Sequence, residues 1–163
     1  MFDVIKGDLE ILEQGLQEAV TSTNELVTEV GMHLVTSGGK HIRPALCLLS
    51  ARGGKAFDLP HVLPLAEALE LIHTASLVHD DVIDEADTRR GAPSANAKWG
   101  NSIAILSGDF LFARASRLVS TLGPESVLII ADTFAEVVTG QMRETVGVSA
   151  GADPIEHYLK VVW

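Results

Sequence analysis

The sequence predicts an all-α protein of one domain. Apolar residues recur every three or four positions through several long segments, as they do on a helix face that packs against a core. Glycine and proline, which end or begin helices, separate these segments. Apolar residues make up 47% of the 163 residues and the mean hydropathy is +0.25, so the composition excludes a disordered chain and favours a buried core.

Two amphipathic helices are predicted at the start of the chain. The first runs from Asp3 to Val20, with its apolar residues on one stripe. The second begins after Asn24, whose side chain suits a helix cap, and ends before Gly38 and Gly39. Neither helix gathers polar groups, so we expect both to serve packing or subunit contacts.

The segment from Gly38 to Pro44 reads GGKHIRP. Its glycines allow a ligand to approach the backbone closely, and Pro44 suits the first turn of the next helix. Lys40 and Arg43 would then stand beside a helix N-terminus, which favours anions. By itself this segment is equally well explained as a glycine helix end with two solvated cations.

A central helix is predicted to end in acids. Residues 69–78 are apolar at helical spacing, and Asp80, Asp81 and Asp84 follow directly. At about 100° per residue, His73 shares a narrow arc with Asp80 and Asp84, while Asp81 lies just to one side. Carboxylates that converge at the end of a helix repel one another and oppose its dipole, and a bound cation would relieve both effects.

Arg89 and Arg90 follow the acids closely in the sequence. Carboxylates supply the hard oxygen ligands that Mg²⁺ accepts, and arginine binds phosphate through paired donors. Together these residues indicate a metal-assisted diphosphate site. A solvated acidic helix end followed by a basic turn is the alternative that the acids alone leave open.

The remaining segments are predicted to be a loop and three further helices. Residues 91–101 are rich in small residues and indicate a loop with one helical turn, and Ser102 to Leu122 indicates a helix. Asp109 stands within an apolar run of that helix, so we expect it to be buried, either beside the site or in a core ion pair. A helix from Pro124 to Val146 and a short one opened by Pro154 complete the chain.

Composition also bounds the partners and the compartment. A net charge of −10 makes nucleic acid an unsuitable partner. Cys47, the only cysteine, stands among leucines and indicates a reducing compartment. The N-terminus lacks the apolar core of a signal peptide and no apolar run reaches transmembrane length, so we expect a cytoplasmic protein.

Three motifs together resemble those of one known family. GGKHIRP, the DDVID of Asp80 to Asp84 and the Arg89-Arg90-Gly91 that follows match, in order and spacing, the trans-type (E-type) polyprenyl diphosphate synthases. The resemblance implies an isoprenoid-synthase-type helical bundle, of which residues 1–163 would form the N-terminal half, with about seven or eight helices. It implies a prenyltransferase that condenses isopentenyl diphosphate with an allylic prenyl diphosphate.

The resemblance also implies roles for single residues. Asp80 and Asp84 would bind Mg²⁺, with Mn²⁺ as a substitute, and Asp81 and Arg89 would complete the catalytic group. The residues expected to bind substrate diphosphates are Lys40, Arg43, His73, Arg89, Arg90 and Gln141, the last of them on the allylic diphosphate. The resemblance further implies that the protein forms a homodimer.

Product length is expected to depend on residues just before Asp80. Ala75 and Ser76 are both small, so they would leave room for a prenyl tail below the acids. We therefore expect a product longer than farnesyl diphosphate, with Phe134 as a candidate floor of the tunnel.

Two other functions remain as alternatives. The chain is also compatible with a non-catalytic subunit of a heteromeric synthase or with a helical interaction module, although a partner without chemistry has no need of the intact acids and arginines. The family's lysine-threonine motif and second aspartate-rich motif are missing, and the last residues, Val161 to Trp163, are apolar. We therefore expect a portion of a longer protein, inactive by itself.

Overall fold

The computed structural model describes residues 2–55 and 57–162, and the predicted all-α fold is confirmed over them. A short 3-10 helix, Phe2–Ile5, leads into the first α-helix. The eight α-helices of the described residues are α1 Lys6–Ala19, α2 Glu25–Thr36, α3 Ile42–Arg52, α4 Leu59–Ile83, α5 Ala95–Trp99, α6 Asn101–Ser120, α7 Pro124–Val146 and α8 Pro154–Val162. None of these described helices is both long enough and apolar enough to cross a bilayer.

The chain divides into two compact units. The first ends at Leu122 and contains α1 to α6, and the second begins at Gly123 and contains α7 and α8. The expectation that residues 1–163 belong to a single domain stays a prediction.

The core of the first unit is built around α4. This helix packs against α6, α3 and α1. Leu71 and Ala75 of α4 are fully buried, as are Ala104 and Leu111 of α6. Small residues on both helices let their axes approach closely, and each fully buried leucine contributes about 2 kcal/mol of stability relative to exposure.

One small sheet was not predicted. β1, Thr88–Arg89, pairs antiparallel with β2, Ala92–Pro93, directly after the acids of α4. The two residues between the strands, Arg90 and Gly91, have φ angles of 53° and 80°. Positive φ at both positions is typical of the tight turn that closes a β-hairpin, and glycine tolerates it best.

The prediction that Asp109 is buried is wrong. Its side chain is 62% exposed, with Oδ1 lying 3.7 Å from Nε2 of His79. The neighbouring Gly108 faces the core, and one residue further along a helix turns the side chain by about 100°. An apolar run around a carboxylate therefore did not mean that the carboxylate itself was covered.

Candidate active site

The end of α4 carries two acids that face outward. Asp80 is half-buried, and Asp84 is the exposed residue that caps the helix. Burial raises the pKa of Asp80, and the negative charges of Asp84 and Asp81 raise it further, against the opposing effect of Arg89. Neither carboxylate forms a hydrogen bond or an ion pair with another described residue. This pair of carboxylates is therefore stabilised by any cation that approaches it.

Asp81 has a different environment. Its side chain is almost fully buried, and Arg89 of β1 donates to Oδ1 from Nε at 2.8 Å and from Nη2. The hydrogen bond to Asp81 is the main cause that raises the pKa of Arg89. Asn96 secures the same region, because its Nδ2 donates to the backbone carbonyl of Asp81 at 3.3 Å. Asp81 thus anchors Arg89 rather than facing the open side of the site.

Arg90 connects the β1–β2 hairpin to the glycine-rich loop, residues 37–41 between α2 and α3. Its Nη1 donates to the backbone carbonyl of Gly38. A β-carbon at Gly39 would lie 2.7 Å from the same Nη1, closer than such atoms pack, so a side chain there would displace Arg90. The absence of a side chain at Gly39 therefore lets the arginine lie against the loop.

Several cations surround His73 on α4. Burial is the main cause that lowers the pKa of His73, and the positive charges of Arg43, Arg90 and Arg89 lower it further, while Glu70 opposes them. Charges from α3 and from the hairpin therefore meet at this histidine. His73 and the three guanidinium groups whose charges act on it provide an environment for an anion.

The structure does not connect every predicted site residue to this cluster. Lys40 is exposed in the loop before α3 and forms no hydrogen bond or ion pair with another described residue. Gln141 is half-buried on α7, in the second unit. Ala75 is fully buried, whereas Ser76 is half-buried and its Oγ donates to the carbonyl of His73 at 2.9 Å. The roles assigned to these four residues stay predictions.

Sequence reasoning missed two residues of this region, His41 and Glu70. His41 Nδ1 lies 3.1 Å from Oε1 of Glu70, whose side chain is almost fully buried on α4. The available signal was the position of Glu70 within an apolar helix, three residues before His73, where an unpaired carboxylate would be costly. Its partner could not be identified from spacing, because His41 belongs to a loop that is distant in the sequence.

The chemistry of the acids at the end of α4 suits a divalent cation. Within residues 2–55 and 57–162, no group of three or more His, Cys, Asp or Glu side chains is arranged to enclose a metal ion. Asp80 and Asp84 offer two hard oxygen donors one helical turn apart, both free of hydrogen bonds to described residues. Mg²⁺ is commonly held by one or two carboxylates together with waters and substrate phosphates, so this donor set suits it.

Fold and site together define a class of protein: a helical bundle in which acids at the end of one long helix lie near an arginine of the adjacent hairpin. The comparisons with known proteins agree with this class. The family described as "Polyprenyl synthetase" matches residues 24–163. The chain belongs to this family, and the resemblance predicted from the motifs is confirmed.

Two of the relatives carry names of long-chain synthases. The chain is 52% identical to a nonaprenyl diphosphate synthase of Mycobacterium tuberculosis (strain ATCC 25618 / H37Rv), over 97% of this chain and 47% of that protein. It is 34% identical to the octaprenyl diphosphate synthase of Escherichia coli (strain K12), over 96% of this chain and 48% of that protein. The chain therefore spans about half the length of these relatives.

A solved structure supports the predicted fold. The polyprenyl synthase of Caulobacter crescentus CB15, crystallised with calcium and isoprenyl diphosphate, superposes with a TM-score of 0.90 at 31% identity, covering 99% of this chain and 49% of that one. The isoprenoid-synthase bundle predicted for this chain is thereby confirmed.

Proposed function

We propose that this chain provides the metal- and diphosphate-binding part of a polyprenyl diphosphate synthase. The enzyme would condense isopentenyl diphosphate with an allylic prenyl diphosphate to form a longer all-trans polyprenyl diphosphate. The observation that supports this most strongly is the pair of unpaired carboxylates, Asp80 and Asp84, beside the arginines that follow them in the chain. The names of two relatives, a nonaprenyl and an octaprenyl diphosphate synthase, agree with it.

The first chemical task is loss of diphosphate from the allylic substrate. Asp80 and Asp84 would hold Mg²⁺, or Mn²⁺ in its place, and the bound ion supplies Lewis-acid stabilisation of the departing oxygens. Arg89 adds a positive charge that Asp81 keeps in a fixed position, so little reorganisation is needed when the leaving group develops its charge. We assign Gln141 to the same allylic diphosphate.

The second task is to hold isopentenyl diphosphate against the allylic carbon. We assign its diphosphate to Lys40, Arg43, His73 and Arg90. The positive charges of Arg43 and Arg90 act on His73, which supports the assignment of these three residues. Holding both reactants in one orientation supplies much of the acceleration, and the proton lost after condensation passes to the released diphosphate.

The prenyl tail is proposed to extend along α4 below the acids. Ser76 lies four residues before Asp80, and therefore on the same side of the helix, and its side chain is half-buried. Ala75 points into the core, so a larger side chain there would also strain the packing of α4. We keep both residues as determinants of a product longer than farnesyl diphosphate.

The test is prenyl transfer by the protein as its gene encodes it, with labelled isopentenyl diphosphate, farnesyl diphosphate and Mg²⁺. Asp80→Asn should lower kcat by about 100-fold or more, because one electrostatic stabiliser of the leaving group is lost. Asp87→Asn is the matched control, since this exposed aspartate follows the same helix, and it should leave kcat unchanged. Absence of transfer by the wild type, or equal loss in both variants, would contradict the proposal.

A homodimer and a cytoplasmic location belong to the same proposal. The lone cysteine, Cys47, supports the location, and the likeness to the family supports the dimer.

A further inference from the structure

The loop between α2 and α3 contains a backbone conformation that most residues avoid. His41, the residue before α3, has φ 42° and ψ 41°, in the left-handed region. Side chains with a β-carbon are disfavoured there, and the conformation persists only where the surroundings hold it. A contact on the His41 side chain should therefore explain why the loop keeps this geometry.

That contact comes from Glu70 on α4. Nδ1 of His41 lies 3.1 Å from Oε1 of Glu70, and only 12% and 5% of the two side chains are exposed. Burial acts to raise the pKa of Glu70, but the hydrogen bond and charge of His41, with the charges of His73 and Arg90, outweigh it and lower the pKa. The hydrogen bond to Glu70 is the main cause that raises the pKa of His41, against burial and against Arg90. The two groups thus favour a charged pair, with the imidazole donating.

Other charged groups face the same pair. Glu13 of α1 lies 3.7 Å from the other ring nitrogen of His41, Nε2, and its side chain is 58% exposed. Arg90 of the hairpin opposes the charge of His41 and favours that of Glu70. Glu70 therefore lies, as a buried anion, within a group of cations.

The loop is held from two sides. Glu70 binds it at His41, and Arg90 binds it at the carbonyl of Gly38. Gly39 and Lys40 lie between these two points, and Arg43 follows in the first turn of α3. The direction in which Lys40 and the start of α3 face is consequently set by both contacts.

We propose that His41 and Glu70 are positioning residues for isopentenyl diphosphate. Neither touches the substrate: the pair holds the backbone of Lys40 and the first turn of α3 so that Lys40, Arg43 and Arg90 face one diphosphate. This inference rests on the proposed function and adds to it a buried pair that sets the geometry of one of its two substrate sites.

The decisive variant is His41→Asn in the protein as its gene encodes it. Asparagine tolerates the left-handed conformation and suits the position before a helix, but it is too short to reach Glu70. We expect KM for isopentenyl diphosphate to rise about tenfold, while KM for farnesyl diphosphate stays within about twofold. A role confined to folding would change the melting temperature and leave the ratio of the two KM values unchanged.

Two further variants separate an effect on folding from an effect on substrate binding. If His41→Asn lowers the melting temperature, His41→Asn with Glu70→Gln removes the unpaired buried charge and should restore the temperature while KM stays raised. Glu67→Gln, a buried glutamate one turn earlier on α4 and close to Gly15 of α1, is the matched control and should leave both KM values unchanged.

The outcomes separate the two proposals. Absence of prenyl transfer by the wild type overturns the proposed function, and this inference with it. An active wild type whose KM for isopentenyl diphosphate is unchanged in His41→Asn overturns the inference alone, as does an equal rise in both KM values.

Discussion

Glu67 and Glu70, one turn apart on α4, show how burial acts on a single residue. Both are almost fully buried. Burial, followed by the charge of Glu18, raises the pKa of Glu67 to about 7. The pKa of Glu70 is instead lowered, because His41 supplies a hydrogen bond and a charge. The same residue type therefore destabilises the fold at one position and organises a loop at the other.

Glu67 makes stability depend on pH in a defined direction. The folded protein holds the proton of this residue more tightly than the unfolded chain, where the pKa is near its ordinary value of 4.5. The stabilisation that this bound proton gives the folded state is thus complete below about pH 4.5, and it is lost as the pH rises through about 7. One pKa unit corresponds to about 1.4 kcal/mol, so the loss approaches about 3 kcal/mol.

Glu67→Gln should remove this dependence. Urea unfolding at pH 5 and pH 8 should show that the variant gains stability over the wild type between the two values, by up to about 3 kcal/mol. Glu10→Gln, which changes an exposed glutamate of α1, should follow the wild type. Parallel pH profiles for the wild type and Glu67→Gln would contradict the account of this buried carboxyl.

Angular reasoning from the sequence separated Asp81 from Asp80 and Asp84, and the structure has Asp81 buried while the other two are more open. The partner of Asp81 was not predictable, because Arg89 reaches it only through the turn of an unforeseen hairpin. The pairing of His41 with Glu70 was beyond sequence reasoning for a related physical reason. Helix periodicity places residues on a face, but it says nothing about which loop packs against that face.

At the scale of elements, local signals defined some helices well. The predicted helix from Pro124 to Val146 has the same limits in the structure, because Gly123 and Gly147, with φ of 97° and 74°, stop the chain from continuing in either direction. Asn24 caps α2 as predicted, with Oδ1 accepting from the backbone N–H of Leu26 at 3.0 Å and of Val27 at 3.3 Å. Strands of two residues carry no alternating pattern, so the hairpin had no such signal.

The cap at Asn24 can be tested directly. Asn24→Ala should lower the free energy of unfolding by about 1 kcal/mol, because two N–H groups at the start of α2 lose their acceptor. Asn24→Asp retains an acceptor and should stay close to the wild type. Denaturant unfolding of the three proteins measures the difference, and equal midpoints for Ala and Asp would show that the cap contributes nothing.

At the scale of the whole molecule, the first unit contains the acids, the arginines and the glycine-rich loop, whereas Gln141 lies in the second unit. The family and the bundle were predictable from motifs within one chain, since the three motifs keep their order and spacing. The contacts between the glycine-rich loop, α4 and the hairpin were not predictable, because helix periodicity does not tell which loop packs against a helix face. The match to about half of each relative's length agrees with the expected N-terminal half.

The central claim is that the acids at the end of α4 bind a diphosphate through a divalent cation. Calorimetric titration of the protein with a bisphosphonate, with and without Mg²⁺, tests it most directly. We expect binding only with Mg²⁺, and a loss of affinity of about tenfold or more, equal to about 1.4 kcal/mol, in Asp80→Asn with Asp84→Asn. Binding that is independent of Mg²⁺, or that persists undiminished in the double variant, would contradict the account.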